Sequence, residues 1–135
     1  MKLAILGTGF IVKEGALPAL QEVPEVQVTA IFARPASQKK AQDLALRYGI
    51  PAVYTNYDEL LASPEIDFVY IGLVNSAHYE YAKRALLADK HVIVEKPFAA
   101  TAVEVAELRV LAQKKNLYVF EAVTIHYLPN FQAMN

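Results

Sequence analysis

Gly7-Thr8-Gly9 directly follows the short apolar run Leu3-Ala4-Ile5-Leu6 and directly precedes a stretch with helical spacing. In that setting glycines let backbone N–H groups and a helix N-terminus face a pyrophosphate. The third glycine of a G-x-G-x-x-G loop, which lets helix and strand pack closely, is Val12 here, so the sequence implies a slightly wider approach, eased by Gly15 one turn on. No G-K-[ST] follows, which excludes a P-loop. About 20 residues further along, a dinucleotide site places an Asp or Glu against the ribose hydroxyls. This chain instead reads Phe32-Ala33-Arg34-Pro35-Ala36-Ser37, with Lys39 and Lys40 behind it. Arg34 can grip a phosphate with its planar fork, and Ser37 can both cap the next helix and donate to the same phosphate. With no acid to repel a 2′-phosphate, the pattern favours NADP over NAD. Taken alone, Arg34 also suits a solvated loop and Ser37 a plain helix cap.

Two further segments end in polar residues: Gly72-Leu73-Val74-Asn75-Ser76-Ala77-His78, and Val94-Glu95-Lys96-Pro97. Both follow nearly continuous apolar runs. Lys96, partly desolvated at such a place, would hydrogen-bond a substrate hydroxyl or carbonyl. Singly, Glu95-Lys96 also reads as a solvated strand terminus, and His78 as a helix N-terminal residue contacting backbone. His91 begins a strand at the opposite edge and is read as structural. His78, His91 and His126 have no ligand spacing and the chain has no cysteine, so no metal site is predicted.

The elements that must position these residues alternate between two kinds. Strands are predicted over Lys2 to Leu6, Val26 to Phe32, Ala52 to Tyr54, Phe68 to Leu73, His91 to Val94 and Leu117 to Glu121. Helices are predicted over Phe10 to Val23, Gln38 to Tyr48, Tyr57 to Ala62, Ala77 to Ala88 and Ala102 to Lys115. Asn56 with Glu59, and Thr101 with Glu104, have capping-box spacing, and Gly49 stands where a left-handed cap belongs. Pro18 inside the first helix predicts a kink or a restart near Leu17, unless it opens a new helical turn. Strands alternating with helices argue for an α/β fold of three layers, a parallel sheet covered on both faces. Right-handed crossovers make a doubly wound sheet of strand order 3-2-1-4-5-6 the leading topology. Ligands of such sheets sit outside the carboxyl ends of the strands, and Gly7 to Gly9, Arg34, Asn75, His78, Glu95 and Lys96 all fall on that edge.

At 135 residues the chain has room for one domain, and 55% hydrophobic residues suffice for a core without disulfides. No apolar run approaches the roughly 18 residues needed to span a bilayer. The run after Met1-Lys2 also stops short of a signal-peptide core, and the chain is read as cytoplasmic. Thirteen basic against fourteen acidic residues give a net charge of −1, so no global positive field recruits nucleic acid or anionic lipid.

Gly7-Thr8-Gly9-Phe10-Ile11, Asn75-Ser76-Ala77-His78, His91-Val92-Ile93-Val94-Glu95-Lys96-Pro97, and Glu121-Ala122 with His126 and Pro129 together resemble the amino-terminal half of the glucose-fructose oxidoreductase, inositol dehydrogenase and MocA family. The resemblance covers essentially the whole chain, and Glu-Lys-Pro after the fifth strand is its most specific element. It implies a Rossmann-type domain over 1–122, with 123–135 starting the connection to a carboxyl-terminal domain. The implied activity is hydride transfer between a nicotinamide cofactor and a hydroxyl-bearing carbon of a sugar, cyclitol or polyol, in a full-length homo-oligomer. By the same resemblance, Gly7, Thr8, Gly9, Phe10 and Ile11 form the pyrophosphate loop, Arg34 and Ser37 lie near the adenosine ribose, and Leu73, Asn75 and His78 line the nicotinamide end. Glu95 supports the cofactor ribose or the loop, Lys96 is the catalytic lysine, and the Lys96-Pro97 bond is a candidate cis peptide. Val12, Val74 in place of a usual proline, and His126 in place of a frequent arginine depart from the family pattern. His126 is a substrate-side candidate. Since that family takes the rest of its catalytic group from the carboxyl-terminal domain, 135 residues are expected to bind cofactor without turnover. A non-catalytic dinucleotide-sensing module and a nucleotide-independent interaction domain are the rival readings.

Overall fold

The computed structural model describes residues 1–122. Six parallel strands, β1 (Lys2–Leu6), β2 (Gln27–Phe32), β3 (Ala52–Tyr54), β4 (Phe68–Ile71), β5 (His91–Val94) and β6 (Val119–Glu121), form one sheet of order β3-β2-β1-β4-β5-β6. Both faces of this sheet are packed, which is why its strands read as apolar runs. Leu3, Ile5 and Tyr70 point to one face, against Val12, Leu17, Ala41 and Leu44. Ala4, Leu6, Val69 and Ile71 point to the other, against Leu60, Leu86 and Leu108.

The helices are α1 (Leu17–Gln21), α2 (Gln38–Tyr48), α3 (Tyr57–Leu61), α4 (His78–Leu87) and α5 (Ala102–Lys115). Their ends follow the expected chemistry. The Asn56 side chain accepts from the Glu59 N–H at 3.1 Å and the Thr101 hydroxyl from the Glu104 N–H at 3.1 Å, while Gly49 closes α2 at φ +68°. The first helical segment differs from a plain α-helix. A π-helical turn over Ile11–Ala16 precedes α1, whose second residue is Pro18. Proline has no N–H to give to the preceding turn, and the α-helix restarts at Leu17, where its lack of a donor is harmless.

Three strands are shorter than predicted, β2 by the single residue Val26. β4 stops at Ile71, releasing Gly72 and Leu73 into a loop, and β6 starts at Val119 because Asn116 turns left-handed at φ 60° and the Leu117 N–H bonds back to the Ala112 carbonyl at 2.8 Å. His91 is structural: its ring stacks on Phe68 and its Nδ1 accepts the Tyr118 N–H at 2.9 Å. No described helix is long and apolar enough to cross a membrane.

Candidate functional site

The register brings the ends of four strands level: Leu6 pairs with Phe32 on one side and with Ile71 on the other, and Ile71 pairs with Val94. The ladder continues one residue beyond each end, with the Gly7 N–H on the Phe32 carbonyl (2.9 Å), the Gly72 N–H on Leu6 (2.9 Å) and the Glu95 N–H on Ile71 (3.0 Å). Four loops therefore leave the sheet side by side. The first three enclose a cleft of about 180 Å³, lined by Gly7, Thr8 and Gly9, by Ala33, Arg34 and Ser37, and by Gly72, Leu73 and Val74.

The two glycines of the first loop are there for different reasons. Gly7 has φ +112°, and a Cβ on it would stand 2.5 Å from the Gly72 carbonyl oxygen, so the fold itself demands glycine. Gly9 has no positive φ, and a Cβ there would meet nothing within 4 Å. Nothing among the described residues requires glycine at position 9. What its bare backbone leaves is open space beside the cleft and the helix start, where an anionic group can approach main-chain N–H donors.

Arg34 is the sole charged side chain lining the cleft among the described residues. It sits exposed at the end of β2, and no carboxylate accompanies it. Ser37 faces the same cleft and, contrary to one expectation, its side chain makes no capping hydrogen bond to α2. Thr8 also borders an adjoining groove with Lys13, Lys40 and Arg47 beside Asp43, which adds positive charge beside the glycine loop. Phe10 (79% exposed) stands at the head of the first helical segment and Ile11 next to it, outside the cleft lining.

Asn75, His78, Glu95 and Lys96 lie further along the same edge and do not line the cleft. Asn75 starts a short 3-10 turn (Asn75–Ala77) and is exposed. Glu95 is 8% exposed and accepts a hydrogen bond from the hydroxyl of Tyr70, itself fully buried. Burial, reinforced by that hydrogen bond, pushes the Tyr70 phenol well above its ordinary range. Lys96 is exposed rather than partly desolvated, and the Lys96-Pro97 bond is cis. The Phe98 N–H donates to the Glu121 carboxylate at 3.1 Å. His78 is 1% exposed, its ring nitrogens at 2.7 Å and 2.9 Å from the carbonyl oxygens of Pro97 and Leu73. His126 and the connection over 123–135 lie outside the described residues.

Sequence reasoning overlooked Ala33, Gly72 and Tyr70. Gly72 carried a usable signal, a glycine at the end of the strand beside the glycine loop; Tyr70 reads only as one more apolar strand residue.

Comparison with known proteins agrees with this geometry. The family described as an oxidoreductase family with an NAD-binding Rossmann fold matches residues 1–123. A dTDP-3,4-didehydro-2,6-dideoxy-alpha-D-glucose 3-reductase of Saccharopolyspora spinosa is 39% identical over 121 residues, covering 90% of this chain and 36% of that protein. A scyllo-inositol 2-dehydrogenase (NADP(+)) of Bacillus subtilis is 31% identical, covering 99% of this chain and 40% of that protein. The 3-ketoreductase KijD10 from Actinomadura kijaniata, solved with TDP-benzene and NADP in an open conformation, superposes with a TM-score of 0.87 at 30% identity, covering 99% of this chain and 42% of that one. The chain thus spans well under half the length of these relatives. With its glycine loop, sheet order and Glu-Lys-Pro turn in place, the chain belongs to the glucose-fructose oxidoreductase, inositol dehydrogenase and MocA family of oxidoreductases, and is their NAD-binding Rossmann domain.

Proposed function

We propose that residues 1–122 bind the dinucleotide for an enzyme that moves hydride to or from a hydroxyl-bearing carbon of a sugar, cyclitol or related polyol, with NADP preferred to NAD. The observation that carries the cofactor reading is the cleft itself: a glycine at position 9 beside open space, with Arg34 as the charged wall and no carboxylate lining it. A guanidinium fork suits a 2′-phosphate, and the Lys13, Lys40 and Arg47 groove reinforces the same sign. The relatives that act on a dTDP-sugar and, with NADP(+), on an inositol support the substrate class.

Gly7, Thr8 and Gly9 hold the pyrophosphate, with Phe10 and Ile11 opening the helix behind it. Arg34 and Ser37 hold the adenosine phosphate, and Leu73 and Asn75 border the nicotinamide end. The cleft is smaller than the roughly 300 Å³ at which ligand pockets begin, so the nicotinamide half lies beyond it, toward Lys96. The cofactor supplies or accepts the hydride; Lys96 holds the reacting oxygen by a hydrogen bond from its ammonium, and Glu95 secures the turn. Residues 123–135 begin the connection to a carboxyl-terminal domain that completes the catalytic group, so the chain alone binds without turnover, and the complete enzyme is a cytoplasmic homo-oligomer.

Fluorescence titration with NADPH and NADH tests the reading. Saturable NADPH binding is expected, with NADH weaker and Arg34→Ala removing about tenfold or more of the difference. Binding of neither would overturn the cofactor assignment. Equal affinities insensitive to Arg34→Ala would overturn the preference alone.

A further inference from the structure

His78 opens α4 with its ring enclosed, too deep to serve as an open wall of the cleft. Nε2 lies 2.9 Å from the Leu73 carbonyl oxygen and Nδ1 lies 2.7 Å from the Pro97 carbonyl oxygen. Those carbonyls belong to different loops. Leu73 lines the dinucleotide cleft, whereas Pro97 is joined to Lys96. A peptide carbonyl only accepts, so each contact takes an N–H from the ring, and the two together take a ring carrying a proton on both nitrogens. With a single ring proton, one carbonyl would face a nitrogen lone pair at under 3 Å with no bond between them, beside a ring that is itself 1% exposed.

We propose that His78 is a positioning residue that donates to both carbonyls at once, fixing the distance between the cofactor cleft and the turn that carries Lys96. This rests on the function proposed above and adds to it a task performed through the backbone, without contact between His78 and ligand. Other elements tie each loop to the sheet; His78 ties the two loops to each other. The side chains that imitate half of it are distinguishable. An Asn amide nitrogen stands near the place of Nδ1 and keeps the Pro97 contact, while a Gln amide reaches toward the place of Nε2 and keeps the Leu73 contact.

The first test needs no substitution. In the chain with ¹⁵N-labelled histidine, His78 is expected to show a proton on each ring nitrogen, identified by loss of both signals in His78→Gln. A ring nitrogen without a proton would overturn the double clamp. The second test reads the two loops separately, by NADPH affinity and by the protection that saturating NADPH gives Lys96 against an amine-acylating reagent, followed by mass spectrometry. His78→Asn is expected to weaken NADPH binding about tenfold with most Lys96 protection retained at saturation. His78→Gln is expected to lose most of the protection for a smaller change in affinity. If both variants move both readouts together, in step with lost thermal stability, His78 is only a packing residue. Failure of the unsubstituted chain to bind NADPH would strike the proposed function, while the ring signals would still decide the clamp.

Discussion

Val12 occupies the space that a side chain at position 72 would need: a Cβ on Gly72 would come within 2.6 Å of Val12 Cγ2. The fully buried Val12 thus replaces the helix-packing glycine of the loop motif because the room is made across the sheet, on the neighbouring loop. Gly72→Ala is expected to destabilise the domain by about 1–3 kcal/mol through overpacking. Val12→Ala, which removes the offending methyl, should recover much of that loss in the double variant. Urea unfolding of the four proteins measures the coupling; additive losses would show that the two positions do not compete for one space.

Gly7 and Gly9 should separate folding from binding. Gly7→Ala places a Cβ against the Gly72 carbonyl at a φ that side chains rarely adopt, and a loss of roughly 2–4 kcal/mol in stability is expected. Gly9→Ala has open space around it, so the melting temperature should hardly change while NADPH affinity falls tenfold or more. A Gly9→Ala protein that binds normally would remove the argument for a ligand-determined glycine.

Val74 departs from the family pattern without departing from its backbone. Its φ of −60° and ψ of 149° are those proline enforces, and its N–H makes no backbone hydrogen bond among the described residues. Val74→Pro is therefore expected to stabilise by about 0.4–1 kcal/mol, by restricting the unfolded chain. Calorimetry should show a rise of a few degrees in Tm; a fall would mean that the loop uses this N–H.

Two buried phenols set an alkaline limit. Burial pushes Tyr70 and Tyr57 upward, with Arg84 partly opposing this at Tyr57, whose hydroxyl donates to the Tyr81 carbonyl at 2.8 Å. Below the unfolded phenol value of about 10 both states keep these protons and the stability is fully present. Above it the unfolded chain releases protons that the folded protein retains, so stability falls as pH rises toward the elevated folded values, by about 1.4 kcal/mol per pH unit for each phenol. Denaturant unfolding followed from pH 9 upward should be nearly level at first and approach this slope above about pH 10, and Tyr57→Phe should remove about half of the contribution of the pair.

Much of the architecture was legible because a strand buried on both faces has to be apolar throughout. The bounds of β1, β3, β5, α2 and α5 coincide with those read from the residues alone, and crossover handedness narrowed the strand order. Gly49, Asn56 and Thr101 announce local events, a left-handed cap and two side-chain caps, that depend on neighbouring residues alone. The π-helical turn was not legible, since the apolar spacing from Ile11 to Leu20 satisfies either helix and only Pro18 hinted at a break. Val12 and Gly72 meet across two strands, and the sequence reading sought Val12's relief nearby, at Gly15. The enclosure of His78 and the bond between Tyr70 and Glu95 likewise join residues that only the sheet register brings together. Arg34 and Gly9 were easier, because a strand end followed by an unopposed cation, or by glycines before a helix, is written in consecutive residues.

The turn around Lys96 is tied at three successive points, Glu95 by Tyr70, Pro97 by His78 and Phe98 by Glu121, yet the lysine side chain itself is exposed. Ordering a free backbone costs roughly 1–2 kcal/mol per residue, and that loss has already been met when the domain folds. In the role proposed for Lys96, what would remain for substrate engagement is the rotamer entropy of one long side chain, about 2 kcal/mol. In that proposed role the ammonium would be a mobile donor on a fixed base, able to follow oxygens at slightly different positions.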